Sequence, residues 1–205
     1  MKPFESLLRQ LTVANQLTLL RLAAAPALAL ALLNGLPGLA FGLFVAAAVT
    51  DRLDGLAARR FGQQTALGAF LDPAADKLMM LVSYVAMAMP DAPRPFPDFR
   101  LAWHVPAWLA LLVVARDVLI VLVAAALYLA TDVRSFPPTR LGKWTTGFEM
   151  GTAGGFLLAN VWTGFPPLLL HAGAAVTGAL VVASGLQYLL RTRRRLAALD
   201  SRASG

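Results

Sequence analysis

The chain has 205 residues, of which 58% are hydrophobic and 14% charged, against about 25% charged in an ordinary soluble domain, so a soluble globule is excluded. With no cysteine and only two histidines, disulfide, thiol and zinc-thiolate chemistry fall away and imidazole catalysis is a poor fit. The net charge of +7 has to be tested against membrane topology before nucleic acid is considered.

Six apolar stretches, 14–34, 38–60, 66–89, 103–130, 141–164 and 167–190, are long enough to cross roughly 30 Å of hydrocarbon as helices. Turn-forming segments separate them, among them Asn34-Gly35-Leu36-Pro37, Phe61-Gly62-Gln63-Gln64 and Gly164-Phe165-Pro166-Pro167. The expected fold is an all-α integral membrane protein with six transmembrane helices and a short N-terminal interfacial helix. It forms a single domain over 1–205, with 1–12 as the interfacial segment and 191–205 as a basic tail. Lys2, Arg9, Arg59, Arg60, Arg134, Arg140, Lys143 and the run Arg191 to Arg195 fall on one side, while the other side has only Arg94 and Arg100. The positive-inside rule then places both termini in the cytoplasm of an inner, cytoplasmic membrane.

In chain order, Lys2 to Leu11 alternates charge with Phe4, Leu7, Leu8 and Leu11 and reads as a helix lying on the inner surface, with a disordered tail as the alternative. A cleaved signal peptide is the weaker reading, because cleavage would discard Asn15, Thr18 and Arg21. Those three residues form an i, i+3, i+6 polar stripe on the first helix. Arg21 lies roughly 12 Å in, where it either snorkels or contacts a phosphate or an acidic side chain.

The second and third helices carry the densest charge. Asp51 and Asp54 are three apart, Asp72 and Asp76 four apart, so each pair shares a helix face. Folding the chain back at Gln63 brings the four carboxylates to two matched depths, roughly 14 to 20 Å from the loop. Four such anions repel strongly in a low dielectric and call for cations. All donors are hard oxygens, which favours two Mg²⁺ or Mn²⁺ ions over zinc. Gly55, Ala58 and Gly68 leave bare backbone beside the acids, and Arg59 stands ready for a phosphate or a nucleotide carbonyl. Structural ion pairing, and a proton or cation pathway of a transporter, are the competing readings; no internal repeat of the transporter kind is visible.

The string Asp51-x-x-Asp54-Gly55-x-x-Ala58-Arg59, eight residues, Gly68-x-x-x-Asp72-x-x-x-Asp76 resembles the signature of the CDP-alcohol phosphatidyltransferases. The resemblance implies a membrane enzyme that displaces CMP from CDP-diacylglycerol with an alcohol hydroxyl, its site opening to the cytoplasm. It also implies Asp51, Asp54, Asp72 and Asp76 as ligands of two metal ions and Asp76 as general base. Asp54, Gly55, Ala58, Arg59 and Gly68 would line the cytidine diphosphate pocket. The Asn15-Gln16-Leu17-Thr18-Leu19-Leu20-Arg21 opening is similar to bacterial phosphatidylglycerophosphate synthases, which favours glycerol 3-phosphate as acceptor. Arg116-Asp117, by contrast, is similar to cardiolipin synthases, whose acceptor is phosphatidylglycerol.

A phosphate-bearing acceptor needs cations. Arg116 on the fourth helix and Arg140 and Lys143 opening the fifth are the candidates, with Asn15, Thr18 and Arg21 as further phosphate contacts. Glu149 either pairs with a cation or faces the cleft. Gly147, Gly151 and Gly155 recur every four residues, a pattern for packing within the bundle or for a homodimer. The basic C-terminal run reads as an anchor on anionic headgroups of the membrane lipids, not as a nucleic-acid contact.

Overall fold

A computed structural model describes residues 13–61, 66–89, 101–130 and 139–203, with side chains placed for 16–51, 71, 72, 74–89, 101–127, 129 and 139–194. Six helices fill these segments: α1 Val13–Leu33, α2 Pro37–Phe61, α3 Ala66–Ala88, α4 Ala107–Ala130, α5 Arg140–Ala159 and α6 Pro167–Ala203. The expected interfacial segment at 1–12 lies outside the described residues. Three helices contain windows long and apolar enough to cross a membrane, at Gln16–Leu33, Ala107–Leu127 and Pro167–Arg194. Large side chains such as Leu20, Leu111, Leu122, Leu168 and Leu186 project outward, the pattern of helices solvated by acyl chains.

The chain divides into two compact units, Met1–Val105 with Ala153–Phe165, and Pro106–Thr152 with Pro166–Gly205. In the first, α1 packs against both α2 and α3. Its buried face runs Thr18, Arg21, Ala25, Leu28, Leu32, alternating steps of three and four residues, the spacing of a helix seam. On α2 the seam is Ala40, Phe44 and Ala47, and on α3 it is Ala75, Met79, Ser83, Tyr84 and Met87. Apolar side chains thus fill the C-terminal part of α1, and the same stripe turns polar toward its N-terminus. This switch positions the site.

The α1–α2 connection is fixed by backbone geometry. Leu36 N–H donates to the Ala31 carbonyl at 2.8 Å and Gly35 N–H to that of Leu32 at 3.2 Å, a Schellman cap with Gly35 at φ 72°. Pro37 then occupies the first position of α2, where no amide hydrogen is needed. Gly35→Ala is therefore expected to cost about 1 kcal/mol, because an L side chain resists this backbone region. A thermal melt in detergent reads the effect, and an unchanged midpoint would mean that the turn tolerates other backbone states.

At the same end of this unit, Val105 N–H donates to the Met87 carbonyl at 3.2 Å. Asn160 grips Trp103 both ways: its Nδ2 donates to the Trp103 carbonyl at 2.8 Å, and its Oδ1 accepts from Trp103 N–H at 3.1 Å. This grip explains two departures from the expected spans. Helix α4 starts at Ala107 instead of 103, with Leu109 and Ala110 N–H on the Pro106 carbonyl, and α5 stops at Ala159 instead of 164.

In the second unit α4 packs on α6. Trp108 lies over Gly178, where an added Cβ would stand 2.6 Å from the indole ring, so glycine is required for that approach. Helices α5 and α6 are joined through hydroxyls: Thr152 and Thr177 share a 2.8 Å bond, and Thr145 reaches the Leu180 carbonyl at 3.4 Å. Helix α6 also runs past the expected boundary at 190 and through the basic segment to Ala203. No glycine or proline interrupts 187–203, and leucine, arginine and alanine all favour helix.

Gly147 and Gly151 of the four-residue repeat have nothing within 4 Å of a Cβ built on them. Among the described residues they therefore face open space and not a neighbouring helix.

Candidate active site

The polar end of the first seam is built by three helices. Arg21 Nη1 of α1 donates to Asp51 Oδ1 of α2 at 2.9 Å and to Asp76 Oδ1 of α3 at 2.7 Å. One turn earlier on α1, Thr18 Oγ1 donates to Asp72 Oδ1 of α3. The three-residue step from Thr18 to Arg21 matches the four-residue step from Asp72 to Asp76, so one helix face of α1 addresses one face of α3 twice. Asp51 enters because it continues the buried α2 stripe one turn beyond Ala47.

Burial is graded across this cluster. The Arg21 side chain is 2% exposed, whereas those of Asp51 and Asp76 are 37% and 43% exposed. A buried guanidinium thus forms the floor, and the carboxylates stand above it with edges open. Two anions meeting on one nitrogen are held closer than they would stay unaided, and the arrangement gathers oxygen donors at a partly open place. Among the described residues, no three His, Cys, Asp or Glu side chains form a metal-holding group by themselves. The fourth expected ligand, Asp54, is outside the described side chains, as are Asn15, Gly55, Ala58, Arg59 and Gly68, of which only helical backbone is described.

Thr18 and Arg21, expected among the phosphate contacts, are thus found against the aspartates. The remaining expected cations belong to the second unit. Arg140 and Lys143 are exposed at the start of α5, where Thr139 caps the helix by accepting from Gly142 N–H at 3.0 Å. Arg116 is buried, 8% exposed. Its Nη1 donates to Asp117 Oδ1 at 2.8 Å, its Nη2 to Ser184 Oγ at 3.1 Å, and Glu149 Oε1 stands 3.9 Å from Nη1. Glu149 therefore pairs with a cation. Ser184 carried no sequence signal: a lone serine in an apolar run resembles ordinary helix filler.

Residues 11–186 match the CDP-alcohol phosphatidyltransferase family. The chain belongs to that family. The match runs through both compact units and includes Arg21, Asp51, Asp72 and Asp76 of the first and Arg116, Asp117 and Glu149 of the second. Over 204 residues the chain is 31% identical to the Mycobacterium tuberculosis protein named "Probable phosphatidylglycerophosphate synthase", covering 94% of this chain and 87% of that protein. It is 30% identical to the Drosophila melanogaster "Probable cardiolipin synthase (CMP-forming)", covering 88% of this chain and 57% of that protein. It is 33% identical to the Homo sapiens "Cardiolipin synthase (CMP-forming)", covering 65% of this chain and 40% of that protein. This CDP-alcohol phosphatidyltransferase is accordingly an enzyme of phospholipid biosynthesis, which sets the transporter reading aside.

Proposed function

We propose that this protein transfers the phosphatidyl group of CDP-diacylglycerol to glycerol 3-phosphate, releasing CMP and forming phosphatidylglycerophosphate. The observation that carries this reading is the meeting of Asp51 and Asp76 on one nitrogen of Arg21, with Asp72 fixed by Thr18 one turn away. Similarity over 94% of this chain and 87% of a phosphatidylglycerophosphate synthase supports the acceptor, although a Mycobacterium bovis "Putative cardiolipin synthase" is matched over 93% of this chain and 79% of its own length.

The donor set fits the metal that the family implies. Its atoms are carboxylate oxygens, partly open and gathered by a common partner, and no sulfur or imidazole competes, which suits Mg²⁺ or Mn²⁺. Asp51, Asp54, Asp72 and Asp76 would hold two ions. When bound, they supply charge neutralisation to the pyrophosphate and to the departing CMP. Asp76, more open than Asp51, takes the proton of the attacking hydroxyl as its oxygen bonds to the phosphatidyl phosphorus and the bond to CMP breaks. Asp54, Gly55, Ala58, Arg59 and Gly68 line the nucleotide pocket, and Arg140 and Lys143 bind the acceptor's phosphate.

In this reading the chain is one functional domain with six membrane-spanning helices, both termini and the site mouth on the cytoplasmic side of the inner membrane. The open face of α5 around Gly147 and Gly151 offers the place for a homodimer contact.

Arg116-Asp117 and the likeness to cardiolipin synthases support a second acceptor, phosphatidylglycerol. Purified protein with Mg²⁺, CDP-diacylglycerol and one acceptor at a time separates them by CMP release. Release with glycerol 3-phosphate alone is expected, and EDTA is expected to abolish it reversibly without unfolding the protein. Release only with phosphatidylglycerol would transfer the assignment to cardiolipin synthesis, and release undiminished by EDTA would remove the metal from the mechanism.

A further inference from the structure

The second unit buries an ion cluster that the chemistry above does not use. Arg116 comes from the middle of α4, Glu149 from α5 and Ser184 from α6, and all three are buried. Stability alone gives little reason for it, because replacing a buried ion pair by apolar side chains of similar volume is often neutral or stabilising. Its location gives a better one. A Cβ built on Gly142 would stand 3.2 Å from Thr139 Oγ1, 3.6 Å from Arg116 Nη2 and 4.0 Å from Ser184 Oγ. The guanidinium therefore lies against the first turn of α5, beneath the stretch between Arg140 and Lys143.

That turn gathers positive potential. The N-terminal end of α5 carries the positive pole of the helix dipole, and Arg116, Arg140 and Lys143 add three charges. Glu149 and Asp117 offset the repulsion that Arg116 would otherwise meet from that turn. Each anchor also fixes a different part of the guanidinium: Nη1 is held by Asp117 and faces Glu149, while Nη2 is held by Ser184.

We propose that Glu149 and Ser184 act through Arg116 as positioning residues that set the first turn of α5, and with it the reach of Arg140 and Lys143 toward the acceptor's phosphate. This inference rests on the reading of Arg140 and Lys143 as phosphate-binding cations. Exposed lysine and arginine side chains have much rotamer freedom to lose on binding an anion. A turn already fixed spares the further cost of ordering the backbone beneath them, so the effect falls on acceptor affinity and not on the transfer step.

The test is steady-state kinetics of CMP release with saturating CDP-diacylglycerol and varied acceptor, using whichever acceptor supports turnover. Ser184→Ala and Glu149→Gln are expected to raise the acceptor KM on the order of tenfold, the scale of one hydrogen bond to a charged group. The KM for CDP-diacylglycerol and kcat should stay within about twofold of wild type, inside the scatter of an ordinary substitution that removes no transition-state contact.

If Glu149→Gln fails to fold, the double variant Arg116→Met with Glu149→Met carries the test, because it removes both charges together. A folded double variant with a raised acceptor KM supports positioning, and one with a wild-type acceptor KM overturns it. Lys143→Ala and Arg140→Ala distinguish the premise. Should they raise the acceptor KM while the Ser184 and Glu149 variants do not, the inference alone fails. Should they leave it unchanged, the phosphate assignment fails and the inference with it.

Discussion

Asp76→Asn is expected to lower CMP release by roughly 10²- to 10⁴-fold, the span of a lost general base, while the protein remains folded. Asparagine keeps the size of the side chain and an oxygen that can still accept from Arg21 Nη1, so the 2.7 Å contact to α1 has a replacement. What disappears is the negative charge, and with it both the proton acceptor and a metal ligand. Asp72→Asn retains the acceptor for Thr18 in the same way and is expected to abolish turnover through loss of a ligand alone. The pair can be told apart by raising Mn²⁺: excess metal should recover part of the Asp72→Asn activity and little of the Asp76→Asn activity. A folded Asp72→Asn variant with full turnover would remove the metal assignment, and a fully active Asp76→Asn variant would remove the base.

Arg21→Met should destabilise the first unit. Removing one member of a buried pair costs about 3–5 kcal/mol, but Asp51 and Asp76 are more than one-third exposed. Solvent relieves part of the penalty, so about 1–3 kcal/mol is expected. Methionine fills the volume of the arginine stem, which confines the effect to charge. With the floor uncharged, the two carboxylates repel each other unless another cation sits between them. Added Mg²⁺ is therefore expected to raise the melting temperature of Arg21→Met more than that of wild type, and Arg21→Lys, which keeps one charge without the fork, should fall between them. Equal melting temperatures for wild type and Arg21→Met in EDTA would show that the ion pairs contribute nothing to the fold.

Much of this site was legible in the sequence, because helix spacing is local information. The steps between Asp72 and Asp76 and between Thr18 and Arg21 already place each pair on one face, and the structure pairs the two faces; Asn15, Asp54 and the expected turn near Gln63 lie outside the described side chains. Which partner each side chain takes is tertiary information. The depth of Arg21 admitted a phosphate or an aspartate equally, and only packing of α1 against both neighbours places its guanidinium between Asp51 and Asp76. Glu149 was readable as a buried charge in need of a cation, yet nothing local identified Arg116, which lies 33 residues away, or Ser184.

Helix ends were read less well, for a physical reason. Apolar runs mark what lipid tolerates, whereas caps mark where the helix stops. Asn160 ends α5 early by gripping Trp103, and α6 continues past its apolar stretch because nothing in 187–203 breaks it.

The fastenings of the first unit are unequal along its length. The Gly35 cap, the Val105 to Met87 bond and the Asn160 clasp all secure the end opposite the aspartates. At the other end, among the described residues, α1 is tied to α2 and α3 by side chains, Arg21 to Asp51 and Asp76 and Thr18 to Asp72. A bundle stapled in this way resembles a clothes-peg: backbone bonds form its heel, and α1 meets its neighbours at the jaws through side-chain contacts.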